Sequence, residues 1–231
     1  MKGMIFLNSL NANPVLLPDE VISRAKKLGT TLLSDGMEGK GSLNYLIKPV
    51  TKGTSLAGTA LTVEMHPGDN LYLHQAIYSG GQGYIIIADG KDHKDNAYLG
   101  ELMTLAAEAI GLNGIVIDGL VRDKEILNSL IFPIFAKGFI PNGPYKEKPG
   151  RINETISCGG VSVQPGDLIL GDEDGVVIVP YQRIEEVFEK AEKKLAYEKK
   201  RLIEINLYSE KKKRGEYPGT IEPSWLKNKI T

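Results

Sequence analysis

The chain lacks most of the features that would assign it quickly. It has one cysteine, Cys158, in 231 residues. A single thiol excludes an internal disulfide framework and fits a reducing compartment, so a cytoplasmic location is expected. Its three histidines, His66, His74 and His93, are scattered, with no HxxxH-type spacing. That argues against a histidine metal cluster and leaves each as a structural or exposed residue. No apolar run approaches the ~18 residues of a transmembrane helix, so no membrane partner is expected. The opening MKGMIFLNSL has a short apolar run, but Asn8 interrupts it and no small-residue cleavage site follows. A signal peptide is therefore not expected. The net charge is -1, so the molecule is not built to coat nucleic acid or an anionic membrane. There is no internal repeat, and no low-complexity linker in the first 180 residues.

What is present suits a soluble globular unit with a sizeable core: 42% hydrophobic and 25% charged residues. Pro18-Asp19-Glu20 predicts a helix through about residue 27. A strand follows over 54–63. Pro67-Gly68-Asp69-Asn70 forms a turn whose Asp69-Asn70 either cap a helix over 71–78, the preferred reading, or line a site. YIIIA, 84–88, reads as a short buried strand. Gly80-Gly81-Gln82-Gly83 precedes that strand and does not link a strand to a helix, so it is not read as a phosphate loop. Asp89, Asp92 and Asp95 read as a solvated polar loop over 89–96, with supporting contacts behind a site as the alternative. A helix over 100–110 is expected, with Leu102, Met103, Leu105, Ala106 and Ile110 on one face and Gly111 as its cap.

The chain then reads as strand 115–117, short helix 123–129 and strand 133–136. Four β pieces follow, over 152–157, 160–163, 167–170 and 176–179, with Asp172, Asp174 and Gly175 as turn residues and Pro180 closing the set. Cys158 has no evident base partner and is expected to be buried. A long helix covers 183–205. Residues 206–231, with Lys211-Lys212-Lys213-Arg214, read as a loose or subunit-embracing tail. The order predicts an α/β fold with mixed layers and a partly parallel sheet.

The stretch GIVIDGLVRDKEI, 114–126, puts Arg122 and Asp123 just past a buried strand. In a strand–helix–strand unit the helix starts at the sheet edge to which the next parallel strand returns. The start of helix 100–110 and the loop 118–123 should therefore meet. That helix start offers unpaired N–H groups to an anion, and Gly100 permits a close approach. Arg122 adds a bidentate grip on a carboxylate. Asp123 and Glu101 have the wrong sign for the same anion. They make sense if Mg²⁺ or Mn²⁺ sits between, as for a 2-oxo acid whose enolate a metal stabilises. The competing reading is a surface ion pair or a helix cap, and these residues alone leave both open.

GIVIDGLVRD, FPIFAKGFIPNGP and ISCGGVSVQPGDLILGDEDGVVIVP resemble the RraA-like family, as do LGTTLLSDGM, GTALTVEMHPGDN and LGELM upstream. That family holds 4-hydroxy-4-methyl-2-oxoglutarate aldolases and a regulator of ribonuclease E activity. The resemblance covers roughly residues 20–180. It implies a swivelling β/β/α domain of three layers with a mixed sheet, here over 1–182. It also implies a homo-oligomer, trimer or hexamer, with its active site at a subunit interface. The long helix and tail, 183–231, would pack on a neighbouring subunit. By the resemblance, Arg122 binds the pyruvyl carboxylate and keto oxygen of a 2-oxo acid. Asp123 ligates Mg²⁺ (or Mn²⁺), and Glu101 holds metal-bound water. The backbone at Gly100, Leu102, Met103 and Thr104 cradles the carboxylate. Glu198, with Glu192 behind it, would enter the metal shell from the neighbouring subunit through water.

The family's aldolase motif ends in an acid, and here that position is Ile126. Glu125 lies about 100° away on a helix and cannot substitute for it. The expected activity is a metal-dependent, pyruvate-releasing lyase, either a retro-aldolase or an oxaloacetate decarboxylase. The alternative is a non-catalytic, protein-binding regulator of an RNA-degrading enzyme.

Overall fold

The structure is a computed structural model. It describes residues 11–230, apart from the side chains of residues 227 and 228, so the apolar run over 1–10 lies outside the described residues. In chain order the elements are α1 (Asp19–Gly36), β1 (Lys48–Pro49), β2 (Leu56–Glu64), α2 (Leu71–Ser79), β3 (Tyr84–Asp89), β4 (Ala97–Leu99) and α3 (Glu101–Ile110). Then come β5 (Gly114–Ile117), β6 (Leu120–Val121), α4 (Lys124–Leu127), β7 (Ile134–Ala136), β8 (Gly138–Phe139) and β9 (Arg151–Ile152). The last are β10 (Ile156–Cys158), β11 (Val161–Val163), β12 (Leu168–Asp172), β13 (Gly175–Val179), α5 (Ile184–Lys213) and α6 (Ser224–Ile230).

The main sheet runs β1-β7-β5-β3-β2-β12-β13, with β9 on β2. Its middle, β2-β3-β5-β7, is parallel, and its flanks are antiparallel. Ser42 bridges to Val177, which brings the two ends of the sheet close to barrel closure. Alternation assigns each face. On β3, Ile85 and Ile87 enter the barrel interior, whereas Ile86 and Ala88 pack under α2 and α3. On β12 and β13, Ile169 and Ile178 point inward, whereas Leu168, Leu170, Val177 and Val179 pack under α1 and α5. A period of two apolar faces is what strands covered on both sides require. The expected mixed α/β fold is therefore present.

Several elements differ from the sequence reading. α1 runs to Gly36, well past residue 27, because it is two helical pieces joined at Gly29, where φ is +79°. The second piece starts at Thr30, whose backbone N–H and hydroxyl donate to the Asp172 carboxylate at 3.1 and 2.7 Å. Asp89 is buried and not solvated; Lys91 pairs with it at 2.5 Å. A second, parallel sheet, β4-β6-β8, interrupts what reads as loop. On α3 the buried residues are Thr104 and Ala107, and Leu102 is 81% exposed.

α5 is longer than expected and the tail is not loose. α5 buries Ile184, Val187, Phe188 and Ala191 against α1 of its own chain. Beyond Lys213 the chain folds back, and Trp225 Nε1 donates to Tyr197 Oη at 2.8 Å. Cys158 is buried, as expected. No helix among the described residues is long and apolar enough to cross a membrane.

Candidate active site at the start of α3

The small parallel sheet builds the site. The Arg122 N–H donates to Leu99 O at 2.9 Å, so the residue after β6 lies beside the residue before Gly100. The expected meeting of helix start and loop occurs, through β4 and β6 and not through the main sheet alone. Gly100 then opens α3 in extended conformation. A Cβ there would lie 3.0 Å from Arg122 Cγ, so the close contact requires glycine by space and not by backbone angle. Asp123 sits at φ +62°, ψ +45°, a left-handed conformation uncommon outside glycine and tolerated by Asp. From there its Oδ2 accepts the Glu101 N–H at 2.9 Å.

These residues surround a cavity of about 360 Å³ lined by Asn70, His74, Tyr98, Leu99, Gly100, Glu101, Leu102, Met103, Arg122, Asp123, Pro144 and Lys146. Of the expected site residues, Arg122, Asp123, Glu101, Gly100, Leu102 and Met103 line it together. Thr104 does not. It is fully buried, its N–H donates to Gly100 O at 3.1 Å and its hydroxyl to the same oxygen at 2.9 Å. The helix's fourth N–H is thus already spent, and the Glu101 N–H is taken by Asp123. The N–H groups of Leu102 and Met103 remain for a ligand. Arg122 Nε lies 3.8 Å from Asp123 Oδ2, too long for a hydrogen bond, so the guanidinium is not consumed by its neighbour.

Ile126 does not line the cavity, and neither does Glu125. Glu198, on α5, is likewise absent from it within one chain. Among the described residues no group of three His, Cys, Asp or Glu is poised around a metal. Two carboxylates, Asp123 and Glu101, do meet at the cavity. Among the described residues Asp123 Oδ2 accepts the Glu101 N–H and Oδ1 accepts no hydrogen bond. A hard cation that keeps several waters needs no more than one or two protein carboxylates, so the pair fits Mg²⁺ or Mn²⁺.

Of the six other lining residues, Asn70, His74, Tyr98, Leu99, Pro144 and Lys146, the sequence raises only Asn70 as a site residue, as the lesser alternative to a cap. Asn70 Nδ2 donates to Tyr98 O at 2.8 Å and contacts Met103 Sδ at 3.2 Å, so this side chain clamps α3 and does not cap α2. The α2 cap is Asp69, whose Oδ1 accepts the Leu71 N–H at 2.9 Å. Tyr98 is fully buried; its hydroxyl donates to Gly90 O at 2.7 Å and accepts from Gly68 N–H at 3.0 Å. Burial pushes its pKa up to about 12. His74 lies in the first turn of α2. Burial, together with the charge of Lys146, holds its pKa below the ordinary 6.5, so the imidazole is neutral at pH 7. One signal was available for Asn70 and His74. β2 is parallel to β3, so the helix after β2 also starts at the edge where ligands bind.

Comparison with known proteins agrees with the motifs. The family model "RraA-like: Aldolase/RraA" matches residues 30–178. A protein of Halalkalibacterium halodurans named "Putative 4-hydroxy-4-methyl-2-oxoglutarate aldolase" is 38% identical over 177 residues, covering 77% of this chain and 84% of that protein. The structure of the RNA-processing inhibitor RraA from Thermus thermophilis superposes with a TM-score of 0.61 at 30% identity, over 65% of this chain and 92% of that one. An unusual member of the RNase ES inhibitor RraA protein family from Streptomyces coelicolor shares the fold, with a TM-score of 0.72 at 21% identity over 79% and 96% of the two chains. The chain belongs to the RraA-like family of aldolase and RraA proteins.

Proposed function

We propose that this protein is a divalent-metal-dependent lyase that releases pyruvate from 2-oxo acids by way of the pyruvate enolate. The observation that carries the reading is the convergence of Arg122, Asp123, Glu101 and the free N–H groups of α3 on one cavity. Arg122 binds the substrate carboxylate with a bidentate grip and faces the negative charge that grows on the keto oxygen. The Leu102 and Met103 N–H groups hold the second carboxylate oxygen at the positive end of α3. Asp123 would hold Mg²⁺ or Mn²⁺ directly and Glu101 would hold it through water. The ion supplies Lewis acidity toward the keto oxygen. A homo-oligomer, trimer or hexamer, would bring Glu198 of another copy toward this shell.

Decarboxylation of oxaloacetate needs only this binding and charge stabilisation. Retro-aldol cleavage also needs a group to take the proton of the 4-hydroxyl. Ile126, where an aldolase of this family carries an acid, makes that step the slower one here. The test is pyruvate release from oxaloacetate and from a 4-hydroxy-2-oxo acid, with Mg²⁺ and then with excess chelator. Release that chelator abolishes is expected. Release from neither substrate would contradict the reading. It would favour the second one, a regulator that binds an RNA-degrading enzyme, to which Ile126 and the likeness to an RNA-processing inhibitor lend weight.

A further inference from the structure

Arg122 carries the anion end of the site, yet among the described residues no hydrogen bond holds its guanidinium. The charge that faces it, Asp123 Oδ2, is 3.8 Å from Nε, and the Arg122 side chain is 45% exposed. A long cation of that kind samples many rotamers unless something else confines it. Two glycines do so. The stem passes Gly100. The tip passes Gly143, where a Cβ would lie 3.0 Å from Arg122 Nη1. Gly143 has no left-handed φ, so its backbone would accept alanine, and the added methyl group would push the guanidinium aside.

Gly143 is exposed, but it is tied down. Asn96 Nδ2 donates to Gly143 O at 2.6 Å. That carbonyl can only accept, so the Asn96 amide nitrogen must face it. Asn96 Oδ1 then faces His93 Nε2 at 2.9 Å, and this histidine nitrogen carries the proton that joins them. One residue on, the Ala97 N–H donates to Asn142 O at 2.8 Å, and Asn142 Nδ2 donates back to Asp95 O at 2.9 Å. Residues 95–97 thus hold 142–143 at three points. β4 leads from Ala97 straight to Gly100, so one short segment sets both walls of the slot around Arg122. Neither Asn96 nor Gly143 lines the cavity.

We propose that Asn96 is a positioning residue for Arg122, acting through Gly143 to fix the guanidinium where the negative charge of the enolate develops. This deepens the lyase reading and rests on it. The arginine is aimed by a wall that an asparagine outside the cavity holds in place, not by a partner of its own.

Calorimetric binding of oxalate to the full chain with Mg²⁺ tests this, because oxalate is a dianion shaped like the pyruvate enolate. Asn96→Ala is expected to weaken oxalate about tenfold, as one misplaced charge-assisted contact allows. Gly143→Ala keeps the Asn96 hydrogen bond but sets a methyl group against Nη1, and a similar loss is expected. Arg122→Ala removes the whole contact. In an Arg122→Ala background neither substitution should weaken oxalate further, since each acts only through that guanidinium. A merely structural role would instead cost the same in both backgrounds. Wild-type affinity in either single variant, or a loss that adds in full to that of Arg122→Ala, would overturn the positioning role and leave the lyase reading standing. Failure of the wild type to bind oxalate with Mg²⁺ would overturn both.

Discussion

A Cβ on residue 100 would lie 3.0 Å from Arg122 Cγ and 3.1 Å from Arg122 Nε, and it would run into Asp123 Oδ2. The same carboxylate oxygen caps α3 by accepting the Glu101 N–H. Gly100→Ala therefore displaces the two charged groups of the site while leaving an extended φ of −147° that alanine adopts freely. Displacement of about 1 Å at a reacting centre can cost about 100-fold. We expect Gly100→Ala to lower kcat/KM for pyruvate release by about that factor, with a melting temperature within a few degrees of the wild type. Unchanged activity would show that Arg122 and Asp123 need no fixed geometry. At this scale the motif residues were legible because Glu101, Arg122 and Asp123 sit in two short, distinctive segments. His74 and Lys146 were not, and Asn70 was legible only as the lesser alternative to a cap. Each has a sufficient local explanation as cap, scattered histidine or loop lysine, and only the fold brings them together.

At the scale of elements, the site depends on three strands of two or three residues each. β8 is held on β6 by Ile140 N–H donating to Val121 O at 2.9 Å, and the residue that follows β6 is Arg122. Lys137 leads into β8. Its N–H donates to Gly119 O at 2.9 Å, and its ammonium pairs with Asp118 and, at 2.7 Å, with Asp92. The Lys137 and Asp118 side chains are each only 10% exposed. Asp118 Oδ2 also accepts the Gly159 N–H at 2.8 Å, so one carboxylate joins three separate segments. Removing one partner of a buried pair leaves the other charged without compensation, at a cost of about 3–5 kcal/mol. Lys137→Met should cost about 3 kcal/mol in denaturant unfolding. A change below about 1 kcal/mol would mean the pair is effectively solvated.

The legibility of these elements follows their length. β2, β3, β5, β12 and β13 carry four to nine residues with two clear faces, and their positions were readable to within two residues. β4, β6 and β8 are too short to show any period. The far half of α1 was hidden because Gly29 ends one helical piece, and the carboxylate that starts the next, Asp172, lies 142 residues along the chain.

At the scale of the whole molecule, the body and the long helix make different demands. The near-closed sheet and α1 cover the first turns of α5. Further along, Leu202, Ile203 and Leu207 are more than half exposed. An apolar surface of that kind calls for a covering partner, and the proposed homo-oligomer supplies it together with Glu198. The proposed enolisation of pyruvate draws on Arg122, Asp123 and Glu101 of one cavity, whichever larger substrate is the natural one. It is read directly as exchange of pyruvate methyl protons with deuterium in D₂O, followed by proton NMR on the full chain with Mg²⁺. Exchange well above that of free Mg²⁺, abolished by chelator and by Arg122→Ala, is the predicted result. Exchange no faster than with Mg²⁺ alone would contradict the proposal that this site forms a pyruvate enolate.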